Sequence, residues 1–558
     1  MDLQPFVLPG SLFGLGSGRG MAHQRVDLRG LAMQIDEDDV PSQIGRFRRL
    51  LGQVGGHRGL DHSPLDLWSV HRVAHEKQPA TPVDEIHAQS NSNRRAYHLC
   101  ISLAALWCVV ASLTGCATRV WNRPLTATSR AGRYDFRHRM PQSGRGIFVV
   151  LAFSGGGTRA AAFSYGVLEK LRDTPITVGG KSEPLLDQVN VITSVSGGSY
   201  TAAYYGLFGG RIFKSFAPLF LYRDWQRDLS LLILRPDHLM SIARRGYNRS
   251  DLVASYLDRT LFEHKTYSDM SRNGLPFVIV NASDLNNAIT FSFIQPQFDF
   301  LCSDLSSYPV ANAVMASSAV PPVFAPIALR NFKDCPERHK PWVVYALGHD
   351  AVLDRNYAVA RALKRYSNAK RMPVLRLVDG GVTDNLGVRG SMMSPVAQEG
   401  DVLDMAGAFT PTQLRRVRHV LVIVANAQVY SEYSWSRHGT DPGLIDMTRA
   451  SFDAALGILN TETVSLAKQG FMMWEKHVNA MRPPGAPGVK VDFVVLTFNQ
   501  IKNSTERDRF NAMPTTFHLQ PAQVDALRAL AGQLLDQSPE YQSFLSELAH
   551  DPDVRAAH

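Results

Sequence analysis

The sequence predicts an α/β fold built around a mainly parallel sheet, because apolar segments alternate with amphipathic ones from residue 146 onward. Six segments have the length and the continuous apolar character of buried strands: GIFVVLAFS, DQVNVITSVS, PFVIVNASD, MPVLRLVDGG, RHVLVIVANAQ and VKVDFVVLTFN. Three others have the composition of helices that pack on such strands: GGGTRAAAFSYGVLEKLRD, NRSDLVASYLDRTLFEH and PAQVDALRALAGQLLDQ. Apolar strands that alternate with helices are typical of a parallel sheet covered on both faces.

The composition is that of an ordinary globular protein, with 45% hydrophobic and 20% charged residues in a chain of 558. The net charge of +9 comes without a dense Lys/Arg block, so we predict no nucleic-acid partner. The five cysteines lack C-x-x-C spacing and no carboxylate cluster resembles a calcium loop, so we predict no metal and no other cofactor. Cys302 and Cys335 are interpreted either as one disulfide or as two buried thiols.

The N-terminal region lacks the patterns of the rest of the chain. Residues 1–92 show no sustained hydrophobic period. We expect this segment to be disordered, or to be absent from the native product because the true start codon lies further downstream.

An apolar run near residue 100 has the three-part pattern of an export signal. Arg94 and Arg95 precede about 17 uncharged residues, which end in small residues just before Cys116. The closing sequence Leu-Thr-Gly-Cys resembles the bacterial lipobox. This resemblance implies that residues 93–116 are a lipoprotein signal peptide and that acyl chains on Cys116 anchor the protein in a membrane.

The residues after Cys116 indicate where such a lipoprotein would reside. Ala117 rather than an aspartate follows the cysteine, which by the usual sorting pattern implies the outer membrane of a bacterial cell envelope. An uncleaved anchor helix and a buried core helix remain alternatives for the apolar run. Residues 117–145 are polar and basic without periodicity, and we predict that they form a tether.

A glycine-rich turn joins the first predicted strand to the first predicted helix. Gly155, Gly156 and Gly157 allow the backbone to turn tightly and to bring N–H groups close to a ligand. The start of the helix adds unpaired N–H donors, so the loop is suited to a phosphate or a developing oxyanion. Its sequence matches neither a nucleotide P-loop nor a dinucleotide-binding fingerprint.

A second turn, Thr-Ser-Val-Ser-Gly-Gly-Ser, joins the next strand to the next helix. A serine on a sharp strand-to-helix turn exposes its Oγ at the edge of the sheet, as in the nucleophile elbow G-x-S-x-G. Ser196 is the predicted nucleophile, and Ser194 replaces the first glycine of the usual pattern. The N–H of Gly197 would face the same oxyanion as the glycine loop.

A third turn places a carboxylate after an apolar strand. Asp379 follows Leu-Val and precedes two glycines. Ligands bind beyond the carboxyl ends of strands in open α/β sheets, so we expect Asp379 to lie at the same edge as Ser196. A carboxylate there can act as the base that takes the serine proton.

Together these three motifs resemble those of patatin-like phospholipases, and the resemblance runs from about Ile147 to Val388. The family has a G-G-G-x-R oxyanion loop, a nucleophile serine in G-x-S-x-G and an aspartate in D-G-[GA]. The resemblance implies a three-layer patatin-like fold and a Ser196–Asp379 dyad. Arg159 occupies the arginine position of the loop, where it would either face a headgroup phosphate or have a structural role.

The implied activity is lipid acyl hydrolysis of the phospholipase A or lysophospholipase type, through an acyl-enzyme. The expected partners are a membrane phospholipid or another lipid ester, and the membrane that holds the lipid anchor. We interpret residues 146–400 as the catalytic domain and residues 401–558 as its α/β continuation with a helical end.

Two other functions remain open from the sequence. One is an α/β-hydrolase with a Ser-Asp-His triad, for which the candidate histidines after the serine are His419, His438, His477 and His518. The other is a non-catalytic, lipid-binding envelope lipoprotein that keeps the fold.

Overall fold

The computed structural model describes residues 119–126, 133–136, 146–235, 237–238, 248–270, 276–350, 354–391, 415–430, 433, 435, 439 and 441–556. The chain divides into two units, residues 1–91 and 92–558, and every described residue belongs to the second. The predicted signal peptide with Cys116, the segment 1–92 and most of the tether lie outside the described residues.

An eight-stranded mixed sheet forms the centre of the described fold. Seven strands lie in the order β12–β11–β2–β5–β6–β10–β9, and β7 pairs with β6 off this path. The strand bounds are β2 Ile147–Phe153, β5 Val189–Val195, β6 Phe277–Asp284, β7 Ile289–Ser292, β9 Ile327–Arg330, β10 Val374–Val378, β11 His419–Asn426 and β12 Lys490–Thr497. Two small sheets pair β1 (Arg123–Pro124) with β8 (Ser303–Asp304) and β3 (Pro175–Val178) with β4 (Lys181–Pro184).

Five of the six predicted apolar strands lie side by side and parallel in the sheet. The pairs β12–β11, β11–β2, β2–β5 and β5–β6 are parallel, whereas β10 runs antiparallel to both β6 and β9. Every residue of β2, β5 and β6 is buried, as expected for strands covered on both faces. The predicted mainly parallel central sheet is therefore confirmed, and β10 and β9 make one side of it antiparallel.

Helices cover this sheet and give three layers. Helix α1 (Gly157–Arg172) packs on α2 (Gly197–Phe208) and on α14 (Pro521–Gln537). Helix α12 (Leu444–Ala480) packs on β12 and on the short helices α10 (Gly381–Asp384) and α11 (Val388–Ser391). The other helices are α3 Ile212–Phe216, α4 Trp225–Leu234, α5 Arg249–Thr260, α6 Gln295–Asp299, α7 Val310–Ser317, α8 Pro341–His349, α9 Arg355–Tyr366, α13 Ser504–Asn511, α15 Pro539–His550 and α16 Pro552–Arg555.

Local sequence explains several of these helix starts. Asn248 and Asp251 form a reciprocal capping box at the start of α5. Pro521 occupies the first turn of α14, where its missing N–H costs nothing. Lys170 and Arg172 lie in the last turn of α1, where positive charge favours the helix dipole.

The C-terminal part of the chain belongs to the same sheet as the N-terminal part. β11 pairs with β2 along seven residue pairs from His419–Ile147 to Ala425–Phe153, and β12 extends the sheet beyond β11. The segment after residue 401 therefore adds strands to the central sheet instead of building a separate one.

Cys302 and Cys335 form a disulfide with an S–S distance of 2.08 Å. The carbonyl of Cys302 also accepts a hydrogen bond from the N–H of Leu125 at 2.9 Å, next to the β1–β8 pair. Of the two states left open by the sequence, the structure has the bonded one. No helix in the described part of the chain is both long and apolar enough to span a bilayer.

Candidate active site

Ser196 lies on the turn between β5 and α2, with φ 49° and ψ −119°. A serine with positive φ is strained, and this conformation is the one that a nucleophile elbow imposes on its serine. The backbone N–H of Ser196 donates to Oγ of Ser317 at 2.8 Å, and that hydroxyl donates to the carbonyl of Asn281 at 2.6 Å. These bonds hold the turn from the side of β6 and the end of α7.

Ser194, the departure from the usual elbow pattern, fits within a hydrogen-bond network. Its hydroxyl donates to the carbonyl of Ile279 at 3.1 Å and accepts from the hydroxyl of Ser199 at 3.1 Å. Ser194 is fully buried and both of its contacts satisfy the hydroxyl. The elbow therefore forms with a serine where the pattern usually has glycine.

Asp379 reaches the same edge of the sheet as Ser196, but by an antiparallel route. Val378 pairs with Ser283 while Val195 pairs with Asn281, so the chain runs back toward Val195 after β10 ends. A Cβ on Gly380 would lie 2.4 Å from the carbonyl oxygen of Asn281 and 3.0 Å from Cγ1 of Val195. Asp379 therefore lies at the expected edge, but β10 is antiparallel to β6, and its register rather than a parallel strand end brings the residue beside the elbow.

The electrostatics of Asp379 suit a base. Burial raises the pKa of Asp379 to about 6, while hydrogen bonding from the Ser196 hydroxyl and the Gly381 N–H acts in the opposite direction. Oδ1 accepts from the N–H of Gly381 at 2.7 Å. Oδ2 is buried and accepts no hydrogen bond of good geometry from any described residue. One carboxylate oxygen is thus oriented and the other is available to take a proton.

The glycine loop and the elbow are in direct backbone contact. A Cβ on Gly197 would lie 2.1 Å from the carbonyl oxygen and 2.7 Å from the nitrogen of Gly157. Gly156 and Gly157 have φ of 139° and 59°, values that favour glycine. Within the described residues, the N–H groups of Gly156, Gly157 and Gly197 have no acceptor, so all three are available to a developing oxyanion.

Gly155 has a different role from the one predicted. Its N–H donates to the backbone carbonyl of Asn385 at 2.9 Å, so this amide is not available to an oxyanion. A Cβ at this position would lie 3.3 Å from Cβ of Ser196 and 2.4 Å from Oδ1 of Asn385. Gly155 therefore leaves space beside the serine, and the loop N–H groups without an acceptor begin at Gly156.

Arg159 is buried behind the glycine loop and holds it to later parts of the chain. Its Nε donates to the carbonyl of Ala427 at 2.8 Å, its Nη1 to the carbonyl of Met513 at 2.6 Å and its Nη2 to Oγ1 of Thr515 at 3.0 Å. The side chain is only 2% exposed, which leaves it no access to a headgroup. Of the two predicted roles, the structural one agrees with these contacts.

Some residues of this site carry no signal that we recognised in the sequence. The carbonyl of Thr516 accepts the N–H of Thr158 at 2.9 Å and lies where a Cβ of Gly157 would be. Ser317 lies in ASSAVPPVFAP, which resembles a family segment, yet its bond to Ser196 was not predicted. Asn385 and Thr516 come from distant segments without a motif, so only the fold brings them to the site.

The structure describes three of the four candidate histidines. His419 is the first residue of β11 and pairs with Ile147, which places it at the sheet edge opposite the elbow, where its Nε2 lies 2.7 Å from Asp551. His477 lies in the last turn of α12, and Nδ1 of His518 lies 4.0 Å from Asp224. His438 lies outside the described residues. Among the histidines that the structure describes, none hydrogen-bonds to Ser196 or Asp379.

In the part of the chain that the structure describes, no group of three or more His, Cys, Asp or Glu residues could hold a metal ion. The arrangement is instead a serine on a strained turn, a buried carboxylate beside it and three N–H groups from two glycine turns. This is the set of groups that acyl transfer through a serine requires.

A known protein family has this fold and these site motifs. Residues 151–391 match the family model of patatin-like phospholipases, so the chain carries a patatin-like phospholipase domain with the corresponding three-layer fold. This domain supports lipid acyl hydrolysis as the general class of activity.

Solved structures give weaker similarities. Human GIVD cytosolic phospholipase A2 is 12% identical to this chain, with a TM-score of 0.35. The match covers 78% of this chain and 66% of the human protein, so this chain spans just under two thirds of that protein's length. The same human enzyme in complex with methyl γ-linolenyl fluorophosphonate and terbium chloride gives 14% identity, a TM-score of 0.32 and coverage of 78% and 67%. Among curated proteins, none matches this chain significantly.

Proposed function

We propose that this protein is a lipid acyl hydrolase of the phospholipase A or lysophospholipase type, with Ser196 as nucleophile and Asp379 as general base. The observation that carries the proposal is the contact between the strained turn of Ser196 and the glycine loop, with a buried carboxylate beside the serine. The substrate is a membrane phospholipid or another lipid carboxylic ester.

Acylation requires two proton transfers and the exchange of one ester bond for another. Oγ of Ser196 attacks the ester carbonyl carbon as its proton passes to Oδ2 of Asp379. The carbonyl oxygen becomes an oxyanion and is stabilised by the N–H groups of Gly156, Gly157 and Gly197. The carbon–oxygen bond to the alcohol then breaks, and Asp379 returns the proton to the leaving alkoxide.

Deacylation reverses these roles with water in place of the alcohol. Asp379 takes a proton from a water molecule, which attacks the acyl-enzyme through the same oxyanion arrangement. The bond to Ser196 breaks, the proton returns to the serine oxygen and a fatty acid leaves. A base with a pKa of about 6 suits this cycle, because it is ionised at neutral pH yet binds a proton more tightly than an exposed aspartate.

The triad alternative has less support from the described residues. His419 lies at the opposite edge of the sheet, and Oδ1 of Asp379 is occupied by the N–H of Gly381 instead of a histidine. The strained backbone of Ser196 and the available N–H groups argue against a purely lipid-binding role, because strain of this kind persists where a function depends on it.

The proposal is tested by measuring fatty acid release from phospholipid and from a soluble nitrophenyl ester. Ser196→Ala and Asp379→Asn should each lower turnover by about a thousandfold or more, whereas Ser182→Ala, an exposed serine on β4, should leave it unchanged. A fluorophosphonate probe should label the wild type on the peptide that contains Ser196. Full activity of either site variant, or no labelling of a folded wild type, would refute the proposal.

We further infer that the mature protein is anchored by lipid on Cys116 in the outer membrane of a bacterial cell envelope. The lipobox-like sequence supports this location. Exposed apolar side chains at the start of α12 are compatible with a nearby lipid surface, since Leu444 and Ile445 are each 82% exposed. Mass spectrometry of the native N-terminus should find an acylated Cys116, and an unmodified peptide from residues 1–92 in the mature protein would contradict the anchor.

A further inference from the structure

Helix α12 crosses the whole height of the central sheet. Near its end, Nδ2 of Asn479 donates to the carbonyl of Val489 at 2.8 Å, directly before β12 begins. Nearer its start, Nδ2 of Asn460 donates to Oε1 of Gln428, shortly after β11 ends. Because β11 and β12 are parallel and in register, these two contacts lie at opposite edges of the sheet. The first part of α12, residues 444–459, therefore continues beyond the edge where Gln428 lies, and we call it the projecting part.

The projecting part begins at the edge of the sheet that carries Ser196. β11, β2 and β5 are parallel neighbours, so Gln428 and Ser196 both follow strands that end at this edge. Nε of Arg389 donates to Oγ1 of Thr463 at 2.6 Å, and α12 also packs on α10, which begins just after Asp379. The projecting part is about 24 Å long. It therefore leaves the body of the protein beside the candidate site and continues past it.

One face of the projecting part is apolar and exposed over four turns. Leu444, Met447, Ser451, Ala455 and Ile458 recur every three or four residues, which places them on one side of the helix, and all five are exposed. Leu444 is 82% and Ile458 is 68% exposed. None of these five side chains is charged, whereas the solvent-facing side of a surface helix is usually charged or polar. We call this set the apolar stripe.

The charges of the projecting part are few and lie off the apolar stripe. Its sequence contains Asp446, Arg449 and Asp453, which gives a net charge of −1. Asp446 and Asp453 are seven residues apart and share another face of the helix, where Asp453 accepts the hydroxyl of Tyr433 at 2.7 Å. An excess of positive charge that could attract an anionic surface is thus missing from this sequence. Burial of apolar area is the driving force that the stripe can supply.

We propose that the projecting part of α12 docks on the surface of a lipid bilayer and inserts its apolar stripe at the level of the acyl chains. The choice of partner rests on the proposed function, in which Ser196 acts on a membrane lipid. Helices that lie in the interface of a membrane bind more strongly as they bury more apolar area. Docking holds the bilayer at the edge of the sheet where the ester must reach Ser196.

A second copy of this chain fits the apolar stripe less well. The stripe has five side chains and is one helix wide, whereas a stable protein–protein interface uses roughly 20–30 residues a side. The next residue on the same face is Glu462, which is exposed and ends the stripe with a charge. A bilayer accepts a narrow apolar stripe without matching contacts of this kind.

The experiment measures hydrogen–deuterium exchange in peptides from residues 444–459 of full-length Ser196→Ala protein, with and without phosphatidylcholine vesicles. The readout is local, so an acyl anchor elsewhere in the chain does not produce it. We expect vesicles to slow exchange in this segment about tenfold or more, at low and at high salt. Leu444→Asp and Ile458→Asp should each remove most of this effect, because a carboxylate is costly to bury among acyl chains. Val344→Asp on α8, where the valine is 74% exposed, is the matched control and should behave as its parent does.

A second measurement relates docking to turnover in the active protein. The rate of fatty acid release from vesicles, relative to the rate on a soluble ester, should fall about tenfold or more in Ile458→Asp but not in Val344→Asp. The exchange experiment uses Ser196→Ala protein, so it reports docking without turnover. Full activity of Ser196→Ala protein would therefore refute the proposed nucleophile and leave the docking result intact.

Three results would overturn docking on lipid. The first is exchange in residues 444–459 that vesicles leave unchanged, even where a soluble ester is turned over. The second is equal slowing in Ile458→Asp and its parent, which would show that the stripe is not the contact. The third is slowing that appears without vesicles as the protein concentration rises, which would identify a second copy of the chain as the partner.

Discussion

Gly157 and Gly197 come from two different turns, and their backbones touch so closely that position 197 cannot accept a side chain. A Cβ on Gly197 would lie 2.1 Å from the carbonyl oxygen of Gly157. This contact joins the glycine loop directly to the elbow that carries Ser196. The proposed oxyanion site therefore depends on two glycines that meet only in the folded protein.

Gly197→Ala should separate these two turns. Because the methyl group would meet backbone atoms, which cannot move away cheaply, we expect kcat to fall by about a hundredfold or more. Gly210→Ala is the control, since nothing lies within 4 Å of a Cβ there. The measurement is turnover of a soluble ester, with circular dichroism to verify folding. Wild-type kcat in folded Gly197→Ala protein would show that this contact does not form the oxyanion site.

The rate should depend on the ionisation of Asp379. Only the carboxylate can accept the serine proton, and its pKa is about 6, so kcat/KM should rise about tenfold per pH unit below 6 and level off above it. The measurement is kcat/KM on a soluble ester across this range. A flat profile down to about pH 4.5 would mean that the base has the pKa of an ordinary aspartate.

Asp379→Asn should stabilise the protein while abolishing turnover. The folded pKa of about 6 exceeds the ordinary value of 3.8, so the wild-type folded state binds the proton more tightly than the unfolded state. The stability that this group contributes is therefore present below about pH 4 and is lost as pH rises through 6, whereas asparagine does not titrate. We expect the free energy of unfolding of the variant to rise by about 1–3 kcal/mol relative to that of the wild type as the pH increases from about 4 to above 6.

Urea unfolding of both proteins at acidic and at neutral pH measures this difference. The comparison needs no activity, so it tests the burial of the carboxylate independently of catalysis. A stability difference between variant and wild type that is the same at both pH values would show that Asp379 has an ordinary pKa in the folded protein.

The nucleophile turn could be predicted because its signal is local. Ser196 lies between an apolar strand and a helix start, and these features are contiguous in the sequence. The direction of β10 could not be predicted, because a buried apolar strand has the same composition in either direction. Asp379 was therefore placed at the correct edge for the wrong reason, and the pairing of Val378 with Ser283 supplies the actual one.

The role of Gly155 could not be predicted because it depends on a distant partner. Whether its N–H is available is decided by the carbonyl of Asn385, which no local pattern indicates. In the same way the sequence shows the arginine of the loop but not the carbonyls of Ala427 and Met513 that it binds. Local turn patterns indicate the candidate reactive residues, whereas long-range hydrogen bonds decide which backbone N–H groups near them lack an acceptor.

Removal of the disulfide should lower stability without affecting the site. Cys302 and Cys335 are 33 residues apart, and a cross-link over such a loop contributes about 3–4 kcal/mol by restricting the unfolded chain. Cys335→Ser should therefore unfold at lower urea concentration, and a reducing agent should lower wild-type stability but not that of the variant. Equal sensitivity of both proteins to reduction would mean that this disulfide is not formed in solution.

Arg159 should act as a positioning residue for the oxyanion loop. Arg159→Met leaves the carbonyls of Ala427 and Met513 without their donor, and we expect a loss of about 2–4 kcal/mol in stability. Because the loop also loses its attachment, kcat should fall about 10- to 100-fold with little change in KM, and fluorophosphonate labelling of Ser196 should slow in parallel. Arg338→Met is the matched control, since Arg338 is also buried and donates to the carbonyl of Phe300 and to Asn331. A similar loss of stability in both variants with a loss of kcat only in Arg159→Met would support positioning, whereas equal kcat in the two would reduce Arg159 to a purely structural residue.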